Sequence, residues 1–204
     1  MKHFSEISGT AERVVDAAEG LIQARGYNGF SYDDVARLVG IKKPSIHHHF
    51  PTKSELATVV VQRYTYRFKE FLLQIETRHV KAAERLTAYA ALFEDTYKVE
   101  QHLCVCGMLG AEASSLPADI TYEVQHFFSV NLDWLVQVID DGQRAGQLNQ
   151  LLNSTDVAET LLSALEGAMV AGRGMRNASG PAQIAHNLMR LLLPAQSARR
   201  VAKQ

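Results

Sequence analysis

The stretch from Arg37 to Lys53 carries positive charge with no acid to offset it. Its cations are Arg37, Lys42, Lys43 and Lys53, and neither Asp nor Glu occurs among these residues. A surface that contacts phosphate groups needs local positive charge of this kind. Because the formal net charge of the whole chain is −1, any contact with a polyanion must be confined to a local patch.

Three consecutive histidines, His47, His48 and His49, lie in the same stretch. Consecutive residues on a helix point about 100° apart, so these imidazoles cannot share one metal ion, whereas spacings of three or four can. We therefore predict no metal site. The favoured alternative is that His49 donates a ring N–H to a phosphate while His47 and His48 face a groove or a backbone. A packed, hydrogen-bonded His49 stays open as a second interpretation.

A short capped helix is expected to precede these residues. Ser31 is a helix-capping residue, and Asp34 places an acid in the first turn, which favours a helix that begins there. Val35, Leu38 and Val39 follow at helical spacing and are expected to form one apolar stripe.

A second short helix is expected after a glycine turn. Gly40 ends the first helix, since glycine tolerates the left-handed conformation found at helix ends. Residues 42–45 open the second helix, and Pro44 is tolerated because it lies in the first turn. Ile46 and Phe50 are expected to face inward, which leaves the polar side chains of this helix pointing elsewhere.

Helix, glycine turn and short polar-faced helix form the helix-turn-helix arrangement, whose second helix enters the major groove of DNA. The segment resembles the N-terminal domain of TetR-type repressors over residues 10–60. The matching residues are Gly26-Tyr27, Ser31, Val35-Ala36, Gly40-Ile41, Pro44-Ser45-Ile46, His49-Phe50, Lys53 and Glu55-Leu56. His47 stands where that family usually has a phosphate-binding Tyr, and Lys42 stands where it has a small capping residue.

The resemblance and the charge pattern together give the expected DNA-contacting residues. Lys53 lies in the first turn of a helix, where a cation opposes the helix dipole, so a docked phosphate would account for its position. A solvated lysine is the alternative for this residue alone. The full expected set is Ser31, Tyr32, Lys42, Lys43, Pro44, Ser45, His47, His48, His49 and Lys53.

The rest of the chain is helical in pattern, so we predict an all-α fold of about nine helices. With 204 residues and 47% hydrophobic composition, the chain has ample material for a core. We expect a DNA-binding domain at 1–55 and a ligand-binding and dimerisation domain at 56–204. Helices are expected at 10–25, 53–76, 82–101, 118–145, 154–173 and 183–193, with a short apolar helix near 104–112. Ser154 or Thr155 is expected to cap the helix at 154–173.

The last two helices are expected to form a homodimer interface, as they do in TetR-like proteins. Gly167, Ala171 and Gly172 are small residues that would let another helix approach closely. Leu188, on the final helix, adds an apolar face. Packing within one chain is the alternative, but a reader of palindromic DNA needs two copies.

A mostly apolar effector cavity is expected in the C-terminal domain. Cys104 and Cys106, taken as two residues of one helix, point about 200° apart, so a disulfide between them would require unwinding. A second hypothesis stays open, in which an electrophile modifies a single cysteine that lies near His102. The candidate wall residues, any of which could be core instead, are Tyr89, Phe93, His102, Cys106, Met108, Phe127, Asn131 and Trp134.

We therefore expect a ligand-responsive transcriptional regulator, a repressor, that binds double-stranded operator DNA as a homodimer and is released by a small-molecule effector. One alternative is a helical protein-interaction module in which residues 31–56 serve only packing, and another is a helical enzyme that binds a small molecule and turns it over. No enzyme, cofactor or metal is expected, because GxSxG, HExxH, glycine-rich phosphate-loop and CxxC motifs are absent. A cytoplasmic, membrane-free protein is expected, since the sequence has neither a long apolar run nor an apolar signal core.

Overall fold

The computed structural model describes Ile7 and residues 9–177 and 180–194. Over these residues the chain forms nine α-helices, one short 3-10 helix at Ala113–Ser115 and no strand, which confirms the predicted fold class. The α-helices are α1 (Thr10–Arg25), α2 (Tyr32–Val39), α3 (Lys43–His49), α4 (Lys53–Arg78), α5 (Ala82–Lys98), α6 (Val105–Ala111), α7 (Ala118–Arg144), α8 (Ser154–Gly174) and α9 (Gly180–Leu192). None of the helices in this described part combines the length and apolarity that crossing a bilayer requires.

Local chemistry sets both ends of α2, as predicted. Ser31 Oγ accepts from the Asp34 N–H at 3.4 Å, and Asp34 Oδ2 accepts from the Ser31 N–H at 2.9 Å. The Ser31 hydroxyl also donates to Asp34 Oδ2 at 2.7 Å, and this bond, together with that from the Ser31 N–H, holds the pKa of the Asp34 carboxyl below its ordinary value. The cap therefore stabilises α2 at neutral pH and weakens as pH falls through that lowered pKa. At the other end, Gly40 adopts φ 74° and ψ 37°, the left-handed conformation that ends the helix.

The predicted apolar stripe of α2 was wrong at Leu38, which is 64% exposed. The buried side of the helix is formed by Tyr32, Val35, Ala36 and Val39. Leu38 lies about 100° around the axis from Val39, because each residue of an α-helix advances by that angle. Spacing alone allowed either face for a residue three positions after Val35.

Three further boundaries differ from expectation. The cap of α8 is Asn153 rather than Ser154 or Thr155, and its side chain accepts from the Asp156 N–H at 2.9 Å. Helix α5 ends at Lys98, before Glu100 and Gln101, which have φ values of 49° and 56°. Cys104 is the residue before α6, with φ −54° and ψ 134°, so the two cysteines do not share one helix as assumed.

The chain separates into two compact units. Unit 1 has its described residues within Met1–Phe68 and His102–Phe128, and there α1 packs against α2, α3 and α6. Fully buried side chains of this unit include Ile22, Ile46 and Leu109. The functional division at residues 55 and 56 stays a prediction, because compactness and function need not share a boundary.

Unit 2 has its described residues within Lys69–Gln101 and Ser129–Gln204. Its helices α5, α8 and α9 pack against one another. Tyr89, Leu135 and Leu165 are fully buried in it. The unit boundaries at 68/69 and 128/129 fall inside α4 and α7, so each of these helices contributes residues to both units.

In unit 1, the carboxylate of Glu112 holds the turn between α1 and α2. Glu112 Oε2 accepts from the Tyr27 N–H at 2.5 Å, and Oε1 accepts from the Asn28 N–H at 3.2 Å and from Asn28 Nδ2 at 3.1 Å. Gly26 precedes this turn with φ 77°, and a Cβ at that position would lie 2.7 Å from Glu112 Oε2. Glycine is therefore required there both by the conformation and by the close approach of the carboxylate.

We predict that Glu112→Gln lowers the free energy of unfolding by about 1–3 kcal/mol, the cost of an unmet hydrogen bond. Both carboxylate oxygens accept backbone N–H groups, so a glutamine must turn its NH2 toward one of these donors. Urea unfolding of the full chain measures the change. Glu70→Gln, an exposed residue of α4, is the matched control and should stay within about 0.5 kcal/mol of the parent. Equal changes in the free energy of unfolding for the two variants would contradict the role of Glu112 in holding this turn.

Candidate nucleic-acid interface

Helix α3 is attached to unit 1 by its apolar side. Ile46 is fully buried and Phe50, directly after the helix, is nearly so. The hydroxyl of Tyr32 donates to the Phe50 carbonyl at 2.8 Å, which ties α2 to the end of α3. Burial, reinforced by the charge of Glu55, raises the pKa of Tyr32, so the hydroxyl stays protonated and remains a donor.

Most of the predicted DNA-contacting residues lie on the surface around α3. His49 and Lys53 are half-buried, and Tyr32 is buried with its hydroxyl engaged. The placement of Tyr32 favours a role in supporting α3, and its direct contact with DNA stays a prediction. The exposed members of the set are Ser31, Lys42, Lys43, Pro44, Ser45, His47 and His48.

The histidines fan out from α3 as the helical geometry requires. The His47 ring meets the Tyr32 ring edge-on at 4.8 Å between centroids, and its Nδ1 lies 3.2 Å from the Pro51 carbonyl. With a proton on Nδ1, this nitrogen donates to the carbonyl. The rings of His48 and His49 lie 5.3 Å apart at 68° to each other. Within the described residues, no three histidine, cysteine or acidic side chains come together as a metal site.

Two acids on α2 reduce the positive charge of the surface. Asp33 Oδ2 lies 2.9 Å from Lys43 Nζ, and Asp34 Oδ1 lies 3.5 Å from Arg37 Nη1 and 3.9 Å from Arg25 Nη1. The charge count along the stretch 37–53 missed both acids, because they precede it in sequence and approach it only through the fold. Asp33 is therefore a candidate interface residue that sequence reasoning left out.

Lys53 is half-buried, and its ammonium contacts two aromatic rings and a backbone carbonyl of unit 1. Its Nζ is 4.5 Å from the centre of the Tyr27 ring and 4.3 Å from that of Phe30, and it donates to the Phe30 carbonyl. Burial lowers the pKa of this lysine, and the negative charges of Glu112 and Asp34 offset part of that effect. The predicted phosphate contact would compete with these cation–π contacts, and it stays a prediction.

The eight predicted effector residues divide between the units. In unit 2, the Tyr89 hydroxyl donates to Asn131 Oδ1 at 2.8 Å, and both residues are fully buried. Trp134 stacks on Tyr89 with centroids 5.5 Å apart, and its Nε1 donates to Glu76 Oε1 at 2.8 Å. Phe93 packs against the same tyrosine at 5.4 Å.

The remaining four predicted effector residues belong to unit 1. Cys106 and Phe127 are fully buried, while His102 and Met108 are half-buried. Phe127 packs edge-on against Phe68 with ring centroids 5.2 Å apart, which places it in the core of this unit. The effector role of all eight residues stays a prediction.

Comparison with known proteins identifies the N-terminal segment. Residues 14–60 match the family described as "Bacterial regulatory proteins, tetR family". The crystal structure of a TetR-family transcriptional regulator from Agrobacterium tumefaciens is similar over most of the chain. It is 31% identical, with a TM-score of 0.87, and the match covers 91% of this chain and 98% of that one.

Two curated relatives are named as regulators of transcription. The negative transcriptional regulator IcaR of the biofilm operon icaADBC from Staphylococcus epidermidis is 26% identical over 63% of this chain and 69% of that protein. The transcriptional repressor DhaR of Mycobacterium sp. is 23% identical over 90% of this chain and 92% of that protein. With a whole-chain match at 31% identity to a TetR-family structure, the chain belongs to the TetR family of transcriptional regulators.

Proposed function

We propose that the protein is a ligand-responsive repressor that binds a pseudo-palindromic DNA operator as a homodimer and leaves it when a small molecule binds. The proposal rests chiefly on α3, because its apolar side is buried while its polar side chains are exposed. Repression is favoured by the two curated relatives, which are named as a negative regulator and a repressor.

The proposed DNA surface is the exposed side of α3 together with the residues at its start. In helix-turn-helix proteins, the first residues of the recognition helix contact base edges and nearby cations contact phosphates. Lys42, Lys43 and Ser45 are exposed at the start of α3. In this proposal, Lys42 contacts a phosphate and Ser45 faces the groove, with residues 1–55 as the DNA-binding domain and 56–204 as the regulatory one.

The proposed dimer surface is the exposed side of α8 and α9 in unit 2. On α8, Gly167 and Val170 are exposed, and a Cβ on Gly167 would meet no atom of the described chain within 4 Å. On α9, Leu191 is 69% exposed and borders an apolar cavity of about 170 Å³. An apolar side chain from a second copy would fill that cavity, which would remove exposed leucines from water.

Gly172 does not belong to this dimer surface. It is buried, and a Cβ there would lie 2.8 Å from the Tyr97 hydroxyl, so its lack of a side chain serves packing within the chain. That hydroxyl in turn donates to the Asn177 carbonyl at 2.8 Å. A substitution at Gly172 would therefore disturb the fold of unit 2 instead of testing the dimer.

The effector is proposed to act by binding the DNA-free state more tightly than the DNA-bound state, because a ligand with equal affinity for both shifts nothing. The aromatic cluster of Tyr89, Phe93 and Trp134, with Asn131 at its polar end, is the favoured effector site in unit 2. Because Tyr89 and Asn131 are fully buried, a ligand must displace part of this packing to reach them. Half-sites lie about 34–36 Å apart per helical turn, so a modest change in the separation of two recognition helices abolishes simultaneous binding.

We predict salt-dependent binding to specific DNA, with Lys42→Ala lowering the slope of log affinity against log salt by about 1. Genomic fragments retained by the purified full chain supply the operator, and fluorescence anisotropy measures affinity across salt concentrations. The matched control is Lys98→Ala, an exposed lysine of α5, which should leave the slope unchanged. A protein-interaction module would retain no specific fragment, and that result would contradict the proposal.

The dimer prediction is tested with Leu191→Glu. This leucine is largely exposed in one chain, so a glutamate there costs the monomer little folding free energy. In the dimer, the glutamate would be a buried charge with no cation to pair with. Sedimentation equilibrium should give a dimer for the parent and a shift to monomer for the variant. Leu73→Glu, an exposed leucine of α4, is the control and should remain dimeric. A parent chain that stays monomeric at micromolar concentration would rule the dimer out.

A further inference from the structure

An acid in the first turn of α2 lies against the first residue of α3, the proposed recognition helix, where a phosphate-binding surface gains nothing electrostatically from it. Asp33, on α2, pairs with Lys43, the first residue of α3, at 2.9 Å between Oδ2 and Nζ. Their side chains are 64% and 46% exposed. Exposed ion pairs contribute about 0–1 kcal/mol to stability, so the fold has little need of this one. The pair is thus free to engage a ligand with both of its charges.

The edge of a G·C base pair carries the complementary pattern. In the major groove, guanine presents the acceptors O6 and N7, and cytosine presents its N4 amino donor. O6 and N4 hydrogen-bond to each other within the base pair, so they lie about 2.9–3.0 Å apart. Lys43 Nζ and Asp33 Oδ2 are also separated by 2.9 Å. The ammonium can therefore donate to guanine O6 while the carboxylate accepts from cytosine N4.

The other three base pairs fit this pair of charges less well. With the base pair reversed, the ammonium would meet the cytosine amino group and the carboxylate would meet guanine O6, both repulsive. With thymine opposite Lys43, the ammonium reaches only O4, and the carboxylate faces adenine N6 next to the acceptor N7. With adenine opposite Lys43, the ammonium meets a donor again.

We propose that Asp33 and Lys43 together read one G·C pair in each half-site, with Lys43 on guanine and Asp33 on its cytosine. The inference rests on the proposed function, in which α3 enters the major groove. Lys43 occupies the first position of α3, and the N-terminal residues of a recognition helix are those that contact base edges. Asp33 is then a specificity-determining residue.

The competing role for Asp33 is simple neutralisation of Lys43. An acid with that role weakens binding to every DNA sequence alike, because it opposes the phosphates and not a particular base. The two roles therefore predict different responses when the acid is removed. A base-reading acid changes the preference at one position, whereas a neutralising acid changes affinity at all sequences equally.

The test uses the full chain and an operator selected from randomised duplexes. Affinities are measured for the selected operator and for variants with each of the four base pairs at each half-site position. For the parent, reversing the G·C pair read by Lys43 and Asp33, or placing adenine opposite Lys43, should weaken binding roughly five- to 150-fold, whereas thymine opposite Lys43, which keeps an acceptor facing the ammonium and a donor facing the carboxylate, should weaken it least. Asp33→Ala should reduce that discrimination by at least about fivefold, with preferences at the other positions retained. Asp95→Ala, which removes an exposed acid paired with Lys98 at 3.4 Å, is the matched control and should leave all preferences unchanged.

The outcomes separate this inference from the function on which it rests. If Asp33→Ala strengthens binding to all sequences equally, or leaves every base preference as it was, the base-reading role is overturned while DNA binding stands. If the parent chain selects no sequence and binds DNA without salt dependence, the proposed function fails and the inference fails with it. Loss of preference at one position in each half-site supports the assignment. If the changes in binding free energy for Asp33→Ala and Lys43→Ala do not add in the double variant, the two residues act as one unit.

Discussion

A helix of seven residues, the length of α3, is not stable in water by itself, because the cost of the first turn is spread over too few hydrogen bonds. Every property of the proposed DNA surface therefore depends on packing that lies behind α3. Ile46 and Phe50 supply the buried contact, and Tyr32 donates to the Phe50 carbonyl at 2.8 Å. Gly40 sets the turn that brings α2 and α3 together. The polar side chains of α3 face solvent because its apolar side chains are packed into unit 1.

Acids partly compensate the cations around α2, α3 and Lys53. Glu112 fixes the turn after α1 through backbone N–H groups, and its charge also acts on the ammonium of the half-buried Lys53. Asp33 and Asp34 engage Lys43 and Arg37. The cations of the segment are thus partly compensated before DNA arrives, which favours selective contacts over general attraction to phosphate.

The parts of the fold that follow from short-range chemistry were predictable from sequence. The cap at Ser31 and the left-handed end at Gly40 depend only on residues within a few positions, and both were confirmed. The predicted burial of Leu38 was wrong because helical spacing does not say which side of the helix a flanking residue takes. The predicted cap of α8 was wrong by one position, since Asn153 precedes the two candidates. Asp33 was missed, since its partner lies ten positions away and only the turn brings them together.

In the proposed function, two copies of this chain present two α3 helices to the two halves of one operator. Hydroxyl-radical footprinting of the full chain on a retained genomic fragment shows whether they do. A dimer bound in this way gives a two-fold symmetric footprint whose half-site centres lie about 10–10.5 base pairs apart, or a multiple of that spacing. A single asymmetric protected region, or uniform protection without half-sites, would contradict the proposed function.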